Sequence, residues 1–286
     1  MKANEINVRD PFILYDNDTY YLYGTRAEHF GLHVGGMDVY VSSDLENWSE
    51  PIECFDSEAH GLNRGVNWAP EVHKYLDKYY MFATFTRENG IKGTYSLVSA
   101  SPTGPFVPNS TTALTPKDWE ALDGTLYVED GIPYMVFCHE WTQIGDGQIC
   151  SVRLSEDLSE AVGAAVVLFK ASDMPCTTDL KVKGYVTDGP FLYRNEAGKL
   201  LMIWSSFDDR GYIEVVSYSE NGKISGEWKH CENPLSSENG GHGMLFKDRC
   251  GALYFTMHSP NEPRCAERVQ LYKMKEIECP PFFEFI

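Results

Sequence analysis

Basic residues are scarce in this sequence. Its 286 residues include 24 Lys and Arg against 42 Asp and Glu, which gives a formal net charge of −18. A nucleic-acid-binding protein needs clustered Lys and Arg to neutralise phosphates, and binding to an anionic membrane surface needs the same. The composition therefore predicts no nucleic-acid partner and no membrane partner. A neutral ligand such as a sugar is compatible with this charge.

Long apolar runs are also lacking. The sequence contains no run of 18 apolar residues, so it predicts no transmembrane helix. Its start, "MKANEINVRDPF", lacks the apolar stretch of a signal peptide. We therefore expect a cytoplasmic protein, or a periplasmic or secreted one if a leader has been removed. The eight cysteines form no CxxC pair, so we expect neither a disulfide framework nor a zinc site of that type.

Helical periodicity is nearly absent, and one β-prone pattern occurs five times instead. Each copy has a short apolar run, a turn rich in Asp, Asn or Gly, and a second run dense in aromatic and branched residues, which is typical of a β-hairpin. The copies are "DPFILYDNDTYYLYGT" from Asp10, "APEVHKYLDKYYMFATF" from Ala69, "DGTLYVEDGIPYMVFCHEW" from Asp123, "DGPFLYRNEAGKLLMIWSSF" from Asp188 and "HGMLFKDRCGALYFTMHS" from His242.

A further pair of strand-like runs follows most of these hairpins, so the repeating unit has about four strands. Four-stranded sheets repeated radially are the blades of a β-propeller. We predict an all-β, five-bladed β-propeller with four-stranded blades around a central channel, in a single domain over residues 1–286. A β-sandwich is the alternative, but sandwiches do not repeat a four-strand unit at this spacing.

Propeller geometry predicts where a site lies. The innermost strand of each blade lines the channel, so the first residues of the repeats should meet at one end. Hairpin geometry brings the second strands back to that end. We therefore expect Asp10, Asp123, Asp188 and His242 at the cavity mouth. The second-strand ends should add Arg26, Phe85, His139, Glu140, Trp141, Ser205 and His258.

The three aspartates have a structural and a functional interpretation. An Asp before Gly or Pro is often a turn residue, because its side chain hydrogen-bonds the backbone two residues further on. Three carboxylates at one repeat phase would instead converge on a narrow channel, where they raise one another's pKa. That arrangement is costly for structure and useful for acid–base chemistry.

The motifs "RDPF" with "TYYLYGT", "NWAPEV" with "KYYMFATF", "LDGTLY", "DGPFLY" and "GGHGM" with "LYFTMHSPN" together resemble glycoside hydrolase family 43. Their order matches, and the resemblance runs from about Arg9 to Arg268. It implies a five-bladed propeller that hydrolyses arabinofuranosides, xylosides and related plant-polysaccharide linkages with inversion. The family often carries a further β-sandwich after the propeller, which we do not expect in this chain.

The resemblance also implies residue roles. Asp10 falls on the family's general base, Asp123 on the Asp that tunes and orients the acid, and Asp188 on the general acid. His242 falls on the channel histidine, often near a bound metal or its water shell. No cofactor is required on this basis, and a structural calcium in the channel is one expectation. His242 could equally hydrogen-bond a carboxylate.

Asp188 departs from the family pattern, which has Glu at this position. Inverting hydrolysis needs the acid and base about 6.5–9.5 Å apart, so that a water fits between base and sugar. Three hypotheses stay open. A small shift of strand or substrate lets Asp188 act as the acid, Glu140 replaces it from the neighbouring blade, or the protein binds sugar with little or no hydrolysis.

Other residues are expected to contact the sugar. The faces of Trp68 and Trp141 suit stacking on a sugar ring, with core packing as the alternative for each, and Glu140, His258 and Arg26 are further candidates. The predicted function is a glycosidase that removes terminal or side-chain sugars, α-L-arabinofuranoside or β-xyloside, from plant-type oligosaccharides or polysaccharides. The alternative is a carbohydrate-binding propeller with little or no hydrolytic activity.

Overall fold

The structure is a computed structural model that describes residues 1–29, 35–180 and 184–286. These residues form five antiparallel sheets of four strands each, and in every sheet the strand order follows the chain. The first blade contains β1 (Val8–Asp16), β2 (Thr19–Arg26), β3 (Met37–Ser42) and β4 (Ile52–Phe55). The second contains β5 (Asn67–Tyr75), β6 (Lys78–Thr86), β7 (Lys92–Ser99) and β8 (Val107–Pro108).

The other three blades have the same layout. The third contains β9 (Ala121–Glu129), β10 (Ile132–His139), β11 (Gln148–Leu154) and β12 (Ala161–Lys170). The fourth contains β13 (Asp188–Arg194), β14 (Leu200–Asp208), β15 (Gly211–Ser219) and β16 (Trp228–His230). The fifth contains β17 (Gly241–Lys247), β18 (Leu253–Ser259), β19 (Arg268–Glu276) and β20 (Phe283–Phe285).

Helix is minor. A short α-helix, α1 (Trp141–Ile144), follows β10, and 3₁₀ turns cover Ala3–Glu5, Ala27–His29 and Ala171–Asp173. Within the described ranges, no helix is long and apolar enough to cross a membrane. The five innermost strands contact one another in a circle, β1 with β5, β5 with β9, β9 with β13, β13 with β17, and β17 again with β1. The predicted five-bladed propeller is confirmed.

The outer strands bury their apolar faces between neighbouring blades. Trp204 and Phe169 belong to a cluster between the third and fourth blades, and Phe255 and Phe283 to one that joins the fourth and fifth. All four side chains are 5% exposed or less. Burial of such large apolar side chains is the main favourable term in folding, and it holds the blades at fixed positions around the channel.

Each innermost strand has a bulge near its start. The strand pairing shifts register there in all five blades, and one residue of each bulge adopts a positive φ. These residues are Asp10 (φ 54°), Ala69 (45°), Asp123 (56°), Gly189 (51°) and His242 (51°). A bulge turns a side chain away from the regular pleat, and bulges are common beside active sites. Here the bulges direct Asp10, Asp123 and His242 towards one another.

The bulges correct one prediction about the repeat. The fourth-blade equivalent of Asp10 and Asp123 is Gly189, whereas Asp188 comes one residue earlier and pairs across to Ser205 of β14. The sequence contains a signal for this register, because Pro11, Pro70 and Pro190 each follow the bulge residue directly. Aligning the repeats on these prolines, rather than on their first acidic residue, gives the observed phase.

Hydrogen bonds between blades fix the bulges. In four of the five blade contacts, a side chain of a second strand accepts the backbone N–H of the next blade's bulge residue. The donor–acceptor pairs are Ala69 with Thr25 at 2.7 Å, Asp123 with Thr84 at 3.0 Å, His242 with Ser205 at 2.6 Å and Asp10 with His258 at 3.1 Å. Between the third and fourth blades, the Gly189 N–H donates to the Asp123 carboxylate at 3.1 Å instead.

Candidate active site

The mouth of the channel forms a cavity of about 370 Å³ that receives side chains from all five blades. Four titratable groups expected there are present, together with three of the expected sugar contacts. These residues are Asp10, Asp123, Asp188, His242, Trp68, Glu140 and Trp141. Both tryptophans are partly exposed, so neither is purely a core residue.

Asp10 is buried and engaged at both oxygens. The Thr25 hydroxyl donates to Oδ2 at 2.6 Å, and His242 Nδ1 lies 3.1 Å from Oδ1. Burial alone would raise the pKa of this carboxyl, but the positive charges of His242 and Arg9 outweigh burial and hold the pKa well below its usual range. Asp10 is therefore ionised at neutral pH.

His242 is the cation at the centre of the site. Its Nδ1 also lies 3.9 Å from Asp123 Oδ2. Burial would lower the pKa of the imidazole, yet the carboxylates of Asp10 and Asp123 raise that pKa well above the ordinary value. A protonated imidazole cannot ligate a metal. Within the described residues, no group of three or more His, Cys, Asp or Glu could hold an ion. These observations argue against direct ligation of a metal by His242, and a calcium held near it through water stays a prediction.

Asp188 and Asp123 form a pair of interacting carboxyl groups. Burial raises the pKa of Asp188, and the negative charge of Glu140 raises it further, against His242 and a 3.1 Å hydrogen bond from the Tyr212 hydroxyl. Burial likewise raises the pKa of Asp123, with His242 opposing and Asp188 adding to the rise. Two neighbouring carboxyls that are largely shielded from water and repel each other's charge retain a proton at pH values where an exposed aspartate has lost it.

The one-residue offset of Asp188 sets its depth in the cavity. Arg9, Trp68 and Leu122 occupy the matching position in the first three blades, and like Asp188 they line the cavity. The innermost strands run inward from the mouth, so this layer lies nearer the mouth than the bulge layer of Asp10. The first and fourth blades are not neighbours in the ring. The two carboxyls thus belong to different layers on non-adjacent blades.

Glu140 is held by an ion pair. Its Oε2 lies 2.9 Å from Lys92 Nζ, and the glutamate is 6% exposed. Lys92 Nζ is also 3.5 Å from Glu120 and 5.8 Å from the ring centroid of Trp68. No motif marks Lys92 in the sequence. It is the first residue of β7, at the same end of the blade as the cavity mouth. Tyr212, near the start of β15, lines the cavity for the same reason.

Two expected sugar contacts lie elsewhere, which corrects the prediction for both. Arg26 Nη2 pairs with Asp38 at 2.6 Å and with Glu53 at 3.0 Å, on the outer strands of the first blade. His258 is fully buried, and its Nδ1 accepts the Asp10 N–H. Strand ends alone predicted both positions correctly, but not the direction of the side chains. Phe85, His139 and Ser205 are also buried outside the cavity lining.

Glu214 is a buried acid that the sequence did not mark. It is fully buried on β15, and its Oε2 accepts the Ser205 hydroxyl at 2.8 Å and the Gly243 N–H at 3.1 Å. Ser205 in turn accepts the His242 N–H. Burial raises the pKa of Glu214 to about 8. The carboxyl therefore connects the fourth blade to the bulge that carries His242.

The chain is similar in sequence and in fold to known glycoside hydrolases. The family model described as "Glycosyl hydrolases family 43" matches residues 5–274. The endo-arabinase structure from Bacteroides thetaiotaomicron is 37% identical, with a TM-score of 0.88 over 97% of this chain and 98% of that one. A thermostable family-43 glycoside hydrolase, 23% identical, has the same fold with a TM-score of 0.83, over 100% of this chain and 96% of that chain.

The chain also matches a curated protein over part of its length. The extracellular exo-α-(1→5)-L-arabinofuranosidase of Cellvibrio japonicus is 25% identical over 173 residues. The match covers 55% of this chain and 46% of that relative, so the chain spans about half the length of the curated protein that it matches.

Proposed function

Because this chain belongs to family 43 of the glycosyl hydrolases, we propose that it hydrolyses α-L-arabinofuranosidic linkages in arabinose-containing oligosaccharides or polysaccharides, with inversion at the anomeric carbon. The names of the two relatives that are described as acting on arabinose-containing chains support this choice of sugar over a xyloside. A propeller that only binds sugar would have no use for an ionised and a protonated carboxyl in one cavity.

In the proposed reaction, Asp10 is the general base. Its low pKa keeps the carboxylate ionised, and it takes a proton from a water that attacks the anomeric carbon. Asp188 is the general acid and gives its proton to the departing glycosidic oxygen. The different layers and non-adjacent blades of the two carboxyls support inversion, because a water must fit between base and sugar.

Asp123 and Tyr212 support the acid. Asp123 and Asp188 interact as neighbouring carboxyls whose pKa values are both raised, so the pair retains a proton between turnovers. The Tyr212 hydroxyl, 3.1 Å from Asp188 Oδ2, fixes the rotamer of a side chain that is one methylene shorter than the family's glutamate. The Gly189 N–H holds Asp123 in turn.

Glu140 is less suited to be the acid. Its carboxylate is engaged by Lys92 at 2.9 Å, and it acts on Asp188 as a negative charge. We assign it to the substrate cavity as a residue that tunes Asp188. Trp68 and Trp141 line the same cavity and provide the flat apolar surfaces on which a sugar ring stacks.

The observation that carries the proposal is the pair of opposite charge states, Asp10 ionised and Asp188 with a raised pKa, in one cavity. The test is hydrolysis of nitrophenyl α-L-arabinofuranoside, nitrophenyl β-xyloside and linear arabino-oligosaccharides, with the anomer of the first product followed by NMR. We expect arabinose products of inverted configuration. Release of xylose alone, or binding of every sugar without turnover, would contradict the proposal.

The location of the protein is a proposal as well. All eight cysteines lie in the described ranges and are free, and Cys250, Cys265 and Cys279 are exposed. Exposed free thiols are typical of a reducing compartment, which supports a cytoplasmic enzyme acting on imported oligosaccharides. The curated relative is named as extracellular. Fractionation of the native cells distinguishes the two locations.

A further inference from the structure

A second cavity opens at the same end of the propeller as the candidate active site. It measures about 660 Å³ and is formed by three loops of the first, second and third blades together with Tyr95 of β7. The lining residues of the loops fall within the ranges 60–64, 87–89 and 111–117. These segments connect β4 to β5, β6 to β7 and β8 to β9, which all turn at the channel mouth.

One turn separates this cavity from the active site. The Arg87 N–H donates to the Ile91 carbonyl at 2.8 Å and closes the turn between β6 and β7. Arg87 lines the second cavity on one side of this turn, whereas Lys92 lines the active site on the other. A glycan chain bound in the active site would therefore reach the second cavity by crossing one turn of the second blade.

The second cavity is cationic in a protein of net charge −18. Its lining contains Arg64, Arg87 and Lys117 against one acid, Glu88, which is highly exposed and pairs with Arg64 at 3.2 Å. Such an exposed pair contributes little and exchanges readily for another anion. Lys117 is exposed, and no ion pair in the described part of the chain engages it.

Arg87 is a buried cation that forms no direct ion pair with a carboxylate in the described ranges, although Glu120 and Asp118 lie close enough to act on its charge. It is 8% exposed, and its Nη atoms donate to the backbone carbonyls of Thr115, Pro116 and Lys117 and to the Thr115 hydroxyl. Its flat face lies against Gly93, where a Cβ atom would approach within 2.2 Å of Nε. Arg87 thus fixes the β8–β9 loop and leaves a positive charge in the cavity floor.

We propose that this cavity binds an acidic sugar, a uronate unit of the glycan on which the enzyme acts. Arg64 and Lys117 would hold the carboxylate above the positive floor formed by Arg87, because guanidinium and ammonium groups are the usual partners of a carboxylate. Thr111, Thr112 and Asn89 supply hydroxyl and amide groups for the sugar hydroxyls. Tyr95 adds an aromatic surface to the lining.

A uronate fits this cavity better than a neutral sugar, since a neutral sugar would leave the excess of cations without a partner. The inference rests on the proposed function in one respect, the glycan nature of the ligand. The cations of the catalytic cavity already have carboxylate partners, Arg9 with Glu267, Lys92 with Glu140 and His242 with Asp10. The second cavity would therefore select glycans that carry acidic units at a distance from the arabinose that is cleaved.

The test is calorimetric binding of a galacturonate trimer to the full chain, with an arabinose trimer and inorganic phosphate as the other two ligands. The double variant R64Q/K117Q removes both proposed carboxylate partners, and K247Q, an exposed lysine paired with Glu196, is the matched control. We expect the wild type and K247Q to bind the galacturonate trimer. The double variant should bind the galacturonate trimer at least about tenfold more weakly than the wild type does.

Three results overturn the inference: no binding of the galacturonate trimer, equal binding by the double variant, or displacement of the trimer by phosphate at equal concentration, which would indicate a general anion site. Hydrolysis of nitrophenyl α-L-arabinofuranoside is measured in parallel. It should be unchanged in both variants and unaffected by the trimer, which places binding outside the active site. An inactive wild type that still binds the trimer would contradict the proposed function alone.

Discussion

His242 Nδ1 lies 3.1 Å from Asp10 Oδ1, and this contact joins the fifth blade of the ring to the first. The two residues occupy the same bulge position in their blades, and each adopts a positive φ. The contact keeps Asp10 ionised and His242 protonated, because each charge stabilises the other against burial. The ion pair that sets the charge state of the proposed base therefore lies where the fifth blade meets the first.

The first prediction concerns the base. The substitution Asp10→Asn keeps the size of the side chain and its contact with Thr25 but removes the proton acceptor. We expect the turnover number on arabino-oligosaccharides to fall ~10²–10⁴-fold, the usual contribution of a general base. Sugar binding, measured by calorimetry, should change by no more than a few-fold. Asp18→Asn, at the opposite end of the first blade, is the control, and wild-type turnover in Asp10→Asn would leave Asp10 a structural residue.

The second prediction concerns the charge of Glu140. An acid must be protonated to work, so kcat/KM falls as the pH rises through the pKa of Asp188. Glu140 raises that pKa through its negative charge. The substitution Glu140→Gln should therefore move the alkaline limb of the kcat/KM profile to lower pH by roughly one unit. Glu120→Gln, the other carboxylate beside Lys92, is the matched control and should leave the limb in place.

A different result would reassign the acid. If Glu140 itself donates the proton, Glu140→Gln abolishes turnover of poor leaving groups and removes the alkaline limb altogether. An alkaline limb that stays where it is in the wild type would show that the charge of Glu140 does not reach Asp188.

The third prediction concerns Glu214 and stability. Its pKa is raised to about 8 in the folded protein, against an ordinary value of 4.5. Between these values the unfolded chain releases the proton while the folded chain retains it, so this group lowers stability as the pH rises and its effect levels off above pH 8. The substitution Glu214→Gln removes the titration and retains an acceptor for Ser205 and Gly243.

The stability of Glu214→Gln relative to the wild type should therefore increase with pH. The difference in unfolding free energy should grow by at most ~1.4 kcal/mol per pH unit between about pH 5 and pH 8, as measured by urea denaturation. Glu196→Gln, an exposed glutamate of the fourth blade, should show no such slope. A constant difference between wild type and Glu214→Gln would mean that Glu214 is ionised in the folded protein.

The sequence predicted the parts of this molecule that repetition encodes. Five copies of a hairpin pattern give five blades, and propeller geometry then brings the repeat starts to one channel, so Asp10, Asp123 and His242 were found. The predicted phase of Asp188 is wrong by one residue, because the repeat is aligned by the residue before proline and not by its first acidic residue. The bulge that moves Asp188 into the outer layer is a backbone feature, which one-letter patterns show only through Pro190 and Gly189.

The directions of individual side chains could not be predicted from the sequence. Arg26 and His258 end their strands at the mouth as expected, yet Arg26 turns to the outer strands and His258 into the core. Lys92 and Tyr212 reach the cavity from third strands, whose patterns resemble ordinary β-strands. Partners on other strands decide these directions: Arg26 pairs with Asp38 and Glu53 of its own blade, whereas Lys92 pairs with Glu140 of the next blade.

The last prediction concerns Asp188. A general acid matters most when the leaving group is poor, because a nitrophenolate departs without a proton whereas a sugar hydroxyl does not. Asp188→Asn should lower kcat on arabino-oligosaccharides ~10²–10⁴-fold and on nitrophenyl α-L-arabinofuranoside by less than about tenfold. Asp130→Asn, at the far end of the third blade, is the control for a general effect on folding.

The companion variant Asp188→Glu tests whether reach limits the enzyme. Asp188 is partly exposed at the mouth layer, so one added methylene extends into the cavity and meets no core. We expect Asp188→Glu to keep its activity on oligosaccharides within about tenfold of the wild type, because the same acid then stands one bond nearer the mouth. Equal losses on both substrate kinds in Asp188→Asn would show that Asp188 binds the sugar and leaves the donation of the proton to another group. The same loss in Asp188→Glu as in Asp188→Asn would show that position, held here by the Tyr212 hydroxyl, matters more than the presence of a carboxyl.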